Sequence, residues 1–252
     1  MVLKTETPLI LSIDTATRAG SVAITRGDIV LSEQSGEAAI SQSAHLLQSV
    51  GKALEDAGVS LADIDIFAAA AGPGSFTGLR IGLATVKSFA ATLVRPCAGV
   101  PTLYAVAGTA GESKRTLALI PAGRGEVFAQ SLRIERSGQA YPLDDPVHLT
   151  PHQLLEKVKG EKRLKWTGEG ALIHAEAIKA QALREGILFC HESPDDCLEM
   201  SNEPQWTLVP SQIVLATEIA RQALLRVRAG EIETPERLRA IYVRPSDAEL
   251  NN

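Results

Sequence analysis

The chain has 252 residues, 45% of them hydrophobic and 22% charged, which excludes a disordered polymer and allows one large domain or two lobes with separate cores. Its formal net charge of -5 lacks the cationic excess with which nucleic-acid binders meet phosphate, so binding of RNA or DNA by the chain alone is not expected. The three cysteines, Cys97, Cys190 and Cys197, form no framework and fit a reducing cytoplasm; neither a signal peptide nor a membrane span is expected, the apolar run Ile66–Ala71 being too short.

After a loose tail, Met1–Pro8, the pattern predicts strands over Leu9–Thr15, Ser21–Thr25 and Ile29–Gln34, joined by short turns as antiparallel hairpins. Ser41–Ala57 has helical period, with Ala44, Leu47, Val50, Leu54 and Ala57 on one stripe and Gly58 as the stop. A strand over Leu61–Ala71, a helix over Thr77–Leu93 and a short strand over Cys97–Val100 follow. The second half starts again, with strands over Thr116–Ile120 and Val127–Ile134 around the turn Ala122-Gly123-Arg124-Gly125. A helix over Leu149–Lys159 uses the cap-like pair Thr150-Pro151; a strand over Lys165–Thr167 and a helix over Ala171–Arg184 come next. Cys190–Val209 reads as loop. Pro210-Ser211 opens a helix to Arg228 with Ile213, Ala216, Ile219, Ala220, Ala223 and Leu224 on one side, and Asp247–Asn252 is a second loose tail. Two halves that each open on a hairpin predict an α/β fold made by internal duplication, divided at 1–104 and 105–252, with helix 211–229 packing back on the first lobe.

Asp14 closes the first strand, with Thr15 and Thr17 behind it. In a phosphate-handling fold an acid there holds a metal or a water while turn amides approach phosphate; otherwise it caps a turn. The segment from Gly72 to Gly82 is a glycine-rich turn between strand and helix, which places free amides at a positive helix end. Asp14, Thr15, Gly72 and Gly74 are therefore phosphate-loop positions, working or vestigial. The segment is neither a P-loop, lacking the Lys-Ser or Lys-Thr pair, nor a dinucleotide fingerprint.

The helix that follows carries two apolar stripes: Leu79, Leu83, Val86, Ala90 and Leu93, and then Gly78, Gly82, Thr85 and Phe89. Such a helix is buried on more than one side. The second stripe reads as a partner interface formed by His45, Ser75, Phe76, Thr77, Gly78, Arg80, Ile81, Gly82, Thr85 and Phe89, with intramolecular packing as the alternative. Bulk at Gly82 is expected to block that contact while sparing the fold. His45 has serine, not histidine, one turn away at Ser41 and Ser49, and Cys190, His191 and Cys197 match no zinc module, so no metal is expected. No nucleophilic triad is legible, and Ser75 is outside any G-x-S-x-G elbow.

The stretches LSIDTAT, GDIV, SQSAHLLQSV, AAAAGPGSFTGLRIGLATVKSFA and CAGVPTLYA resemble the TsaB family, also called YeaZ, over essentially the whole first lobe. GPGSFTGLRIG is the most specific of these and is shared mainly with the related catalytic subunit TsaD; RGEVFAQ, TGEGA and AIYVRP are fainter landmarks of the second half. The resemblance implies the α/β fold of actin, sugar kinases and heat-shock ATPases (ASKHA), with duplicated ribonuclease-H-like lobes. It further implies a non-catalytic partner and dimerisation subunit in the bacterial synthesis of tRNA threonylcarbamoyladenosine. TsaD would be the partner and transferase, TsaE would join the cycle, and the chain alone would form a homodimer. Transfer RNA would be met only through the complex, in the cytoplasm. No intrinsic cofactor is implied, although ADP or ATP is a candidate at the junction with TsaD. The alternative is an ATPase or metallopeptidase of the same fold. One departure bears on that choice. Family members read I-D-A-R where this chain has Ile120-Pro121-Ala122-Gly123-Arg124, so Pro121 replaces the acid of a second phosphate loop.

Overall fold

The structure, a computed structural model, describes residues 7–36, 42–191, 204–210, 214–231 and 233–243. The described residues form two compact units. One gathers those up to Ala105 with those from Val214 to Tyr242; the other holds those from Val106 to Pro210, with Val243. The two units part after Ala105, and the residues from Val214 to Tyr242 group with the first.

The first unit opens with an antiparallel meander, β1 (Leu9–Asp14), β2 (Ser21–Arg26) and β3 (Ile29–Ser35). β4 (Ile66–Gly72) lies parallel to β1, and β5 (Cys97–Pro101) parallel to β4, giving the order β3-β2-β1-β4-β5. Every residue of β1 and β4 is buried, as in sheets covered on both faces. On one face Leu9, Leu11 and Ile13 join Leu46, Val50 and Ala53 of α1 (Gln42–Ala57) and Leu83, Val86 and Ala90 of α2 (Phe76–Leu93). On the other, the Ser12 hydroxyl donates to the Ala216 carbonyl at 2.7 Å, and the Ala216 amide donates to Ser21 Oγ at 3.0 Å. Each fully buried large side chain here contributes roughly 1.5–3 kcal/mol.

The second unit follows α3 (Thr102–Gly108), a helix the periodicity did not reveal. Its hairpin is β6 (Ser113–Gly123) with β7 (Glu126–Ile134), extended by the short strands β8 (Ala140–Pro142) and β9 (Val147–Leu149). Then come α4 (Pro151–Lys157), β10 (Arg163–Thr167), α5 (Glu169–Ile173), α6 (Ala175–Arg184), β11 (Leu188–His191) and β12 (Gln205–Val209). The sheet order is β11-β12-β10-β6-β7-β8, with β9 beside β7. As β1 pairs with β2 antiparallel and β4 parallel, β6 pairs with β7 antiparallel and β10 parallel. That shared pattern is the duplication.

Several expectations change. The buried stripe of α1 runs through Leu46, Val50 and Ala53, and Leu47 is 64% exposed. Leu61–Ala71 is not one strand: Ser60 and Asp63 form a capping box on a short 3-10 turn, Leu61–Asp63, before β4 begins. The helix expected over Ala171–Arg184 is two helices meeting at His174. Thr150 does cap α4, its hydroxyl accepting from the Gln153 amide. The region read as loop contains β11 and β12, and Trp206 of β12 is fully buried against Trp166 at 5.1 Å between ring centroids. The last helix, α7, is described from Leu215 to Arg228, with Ala216, Ile219, Ala220, Ala223 and Leu224 buried. Ile213, Ser41, Cys197, the second expected tail (Asp247–Asn252) and residues 1–6 of the first (Met1–Pro8) lie outside the described residues, while Pro8 is buried and its carbonyl accepts from the Gly27 amide at 2.9 Å.

Candidate functional site

The loop after β1 is organised by Asp14. Its Oδ1 accepts from the amides of Ala16 at 2.8 Å and Thr17 at 3.2 Å, and its Oδ2 accepts from the Thr17 hydroxyl. Asp14 is 1% exposed. Burial pushes it above the ordinary 3.8, opposed by the Thr17 hydroxyl and the two amides. The amides that would approach a phosphate instead close an Asx turn on the acid of their own loop. The Thr15 hydroxyl is likewise spent, donating to the Gly78 carbonyl at 2.7 Å.

The glycine-rich turn is shaped by the same loop. The Ser75 amide donates to the Ala16 carbonyl at 2.8 Å, and a Cβ on Gly74 would stand 2.6 Å from that oxygen. The Gly72 amide donates to the Thr102 hydroxyl at 3.2 Å. Gly72 has φ +119, which favours glycine, and a Cβ there would overlap the Ile241 carbonyl. Ser75 caps α2, its Oγ accepting from the Gly78 amide. The four phosphate-loop candidates Asp14, Thr15, Gly72 and Gly74 lie on two loops that meet at Ala16 and Ser75, but the Asp14 oxygens are engaged by Ala16 and Thr17, the Thr15 hydroxyl by Gly78 and the Gly72 amide by Thr102. As built, the loop does not fit a phosphate.

The helix face divides. Gly78 and Gly82 are buried, and a Cβ on Gly82 would overlap the Thr15 hydroxyl, with Ile13 Cγ2 at 3.7 Å. These two glycines let α2 approach the end of β1 within the unit, so their place in a partner interface is corrected. Ile81 and Phe89 are half-buried against the same core, Phe89 lying 5.7 Å from Phe67 between ring centroids, and the Thr85 hydroxyl bonds back to the Ile81 carbonyl. Ser75, Thr77 and Arg80 are exposed, as is His45 on α1, which pairs with Gln48 at 3.2 Å. Residues missed from the sequence join this outward face. Ala84, Ser88, Ala91 and Thr92 are exposed along α2, and Tyr242 packs on Phe76 at 5.4 Å between ring centroids. Ala84, Ser88 and Ala91 are small residues at helical spacing from Thr77 and Arg80, a signal the two-stripe reading passed over.

At the second hairpin Pro121 is exposed and pairs across to Val127. The tip is Gly123-Arg124-Gly125, with Arg124 at φ +52. The neighbouring Glu126 carboxylate lies 2.7 Å from His148 Nε2. Among the described residues no group of three or more His, Cys, Asp or Glu side chains could hold a metal ion.

Comparisons place this geometry. The family model of TsaD, tRNA N6-adenosine threonylcarbamoyltransferase, matches residues 34–244. The tRNA threonylcarbamoyladenosine biosynthesis protein TsaB of Escherichia coli is 32% identical over 192 residues, 74% of this chain and 83% of that protein. The solved structure of YeaZ from Pseudomonas aeruginosa has a TM-score of 0.69 at 23% identity, covering 93% of this chain and 99% of its own. An activator of 2-hydroxyisocaproyl-CoA dehydratase from Clostridium difficile, solved with bound ADPNP, has a TM-score of 0.50 at 9% identity over 93% and 99% of the two chains. The α/β ASKHA fold expected from the sequence is therefore the fold observed. By its relatives in sequence, the chain belongs to the TsaB (YeaZ) family, within the wider family that the TsaD model describes.

Proposed function

We propose that the chain is a non-catalytic partner subunit in tRNA threonylcarbamoyladenosine synthesis, supporting a TsaD-type transferase. The observation that carries this reading is Asp14, whose acceptors are filled by the donors of its own loop. An acid so engaged organises a turn rather than a metal or a nucleophilic water. The family membership supplies the pathway, because the Escherichia coli relative is a biosynthesis protein for that modification.

The contact surface is the outward face of α2, with Ser75, Thr77, Arg80, Ala84 and Ser88 exposed along it and Phe76, Ile81, Thr85 and Phe89 at its edges. His45 on α1 belongs to the same surface. A TsaD-type subunit docks there in the complex, and a second copy of this chain docks there when the chain is alone. TsaE joins the assembled complex, and tRNA is met only through it. Any ADP or ATP would sit at the junction with the partner, since the loop after β1 does not fit a phosphate. The setting is the cytoplasm. No described helix is long and apolar enough to cross a membrane.

The test is a pair of titrations, self-association and binding to the TsaD transferase, for wild type and Ser88→Arg. Ser88 is exposed, so the substitution leaves the fold in place. A charged side chain driven into a packed contact should weaken both by about tenfold or more. Unchanged affinities would move the contact elsewhere, and no binding by wild type would end the partner reading. Steady ATP turnover by the chain alone, on the order of one per second, or a stoichiometric metal would favour the ATPase or metallopeptidase alternative.

A further inference from the structure

We propose that Tyr242, carried by the segment that closes the first unit, is a positioning residue of the partner surface; this rests on the function proposed above. The segment is firmly seated upstream. Glu233 exchanges both backbone hydrogen bonds with Cys97, at 3.0 and 3.1 Å. Its carboxylate accepts from the Gly99 amide at 3.4 Å and lies 3.6 Å from the Arg226 guanidinium. Leu238 is fully buried, and a Cβ on Gly99 would stand 2.7 Å from its Cδ1. The Ile241 amide then donates to the Ala71 carbonyl at 2.7 Å.

This anchoring delivers the next residue to the first turn of α2. Tyr242 is 48% exposed, yet its ring lies 5.4 Å from that of Phe76. The Arg80 guanidinium stands 3.9 Å from the centre of the Phe76 ring, and its Nε is 3.5 Å from the Tyr242 hydroxyl. Two aromatic rings and an arginine thus make one half-exposed cluster at the head of the outward face. Tyrosine and arginine are enriched among residues that dominate binding energy, because a preformed aromatic–guanidinium stack loses little side-chain entropy on docking. Arg80 and Phe76 touch the partner; Tyr242 fixes their geometry beforehand.

Three proteins separate this from a general structural role: wild type, Tyr242→Phe and Tyr242→Ala, each titrated with the TsaD transferase alongside thermal melts and the Arg80 Nε–H NMR signal. The ring contact is the larger effect, since the hydroxyl contact is long and exposed. Tyr242→Phe should therefore bind within about threefold of wild type, and Tyr242→Ala about tenfold more weakly. The melting temperatures should coincide, while the Arg80 signal broadens only in the alanine variant. Equal affinity of Tyr242→Ala and wild type, or an unmoved Arg80 signal, overturns the inference. So does weaker binding that only follows a lowered melting temperature. Failure of wild type to bind removes the functional reading as well, so the two failures are distinguishable.

Discussion

The two hairpins occupy equivalent places in the two units and have kept different things. In the first, Asp14 ends β1, is buried, and gathers the Ala16 and Thr17 amides and the Thr17 hydroxyl. In the second, Pro121 is exposed near the end of β6. Its missing amide hydrogen is harmless because β10 pairs with β6 only over Thr116, Leu117 and Ala118, so the strand has outrun that neighbour before the proline arrives. The two units share their strand pairing and differ in detail: β1 and β2 pair without a shift up to Asp14 and Ser21, whereas β6 and β7 pair with two register shifts up to Gly123 and Glu126. At one hairpin an acid organises the turn that it opens, and at the other a proline stands near the strand end with the pairing kept.

The strongest way to break this comparison is at Gly82, where the first hairpin meets α2. Gly82→Leu should destabilise the first unit by about 3 kcal/mol or more, because the added side chain has to displace the end of β1 at Thr15. Denaturant unfolding checks it. Wild-type stability with lost partner binding would restore Gly82 to the interface and show that the loop after β1 yields easily.

Asp14 comes next. Asp14→Ala should lose about 1–3 kcal/mol, since it leaves buried donors without an acceptor, whereas Asp14→Asn keeps an oxygen for the amides and should lose less. The pH dependence carries a definite sign. Burial raises the Asp14 carboxyl above 3.8, so the folded chain holds its proton to higher pH than the unfolded chain. Stability therefore declines as pH rises from about 3.8 through the folded value. Glu218 on α7, raised chiefly by burial, contributes in the same direction. Asp14→Asn should make that decline shallower in thermal melts taken across the acidic range; a steeper decline would contradict the burial argument.

The smallest effect is expected at the other hairpin. Pro121→Asp restores an acid to an exposed strand end and should change stability by no more than about 0.5 kcal/mol. It should not create ATP turnover, measured by phosphate release, because one acid does not rebuild a phosphate loop. A gain of turnover would show that the second unit had kept everything but that residue.

Local chemistry made much of the molecule legible. The β1–β2–β3 meander was readable from an apolar run, an alternating segment and the short gaps between them, and α2 from its period between a glycine-rich turn and Pro96. The capping pair at Thr150-Pro151 also stood out, as did the family, through GPGSFTGLRIG. All of these depend on neighbours within a few residues. Non-local contacts decided the rest. Leu47 and Leu46 are equally apolar, and only the position of the sheet determines that Leu46 is the buried one. β12 is five residues long, too short for periodicity to speak, and becomes a strand because β10 and β11 pair with it on either side. Gly82 suits close approach to any backbone, and the fold supplies the end of β1 rather than a partner. Tyr242 lies 162 residues from Arg80 in sequence. Periodicity and turn propensity specify which residues seek burial; what covers them is set by contacts between distant segments, which exist only once the chain has folded.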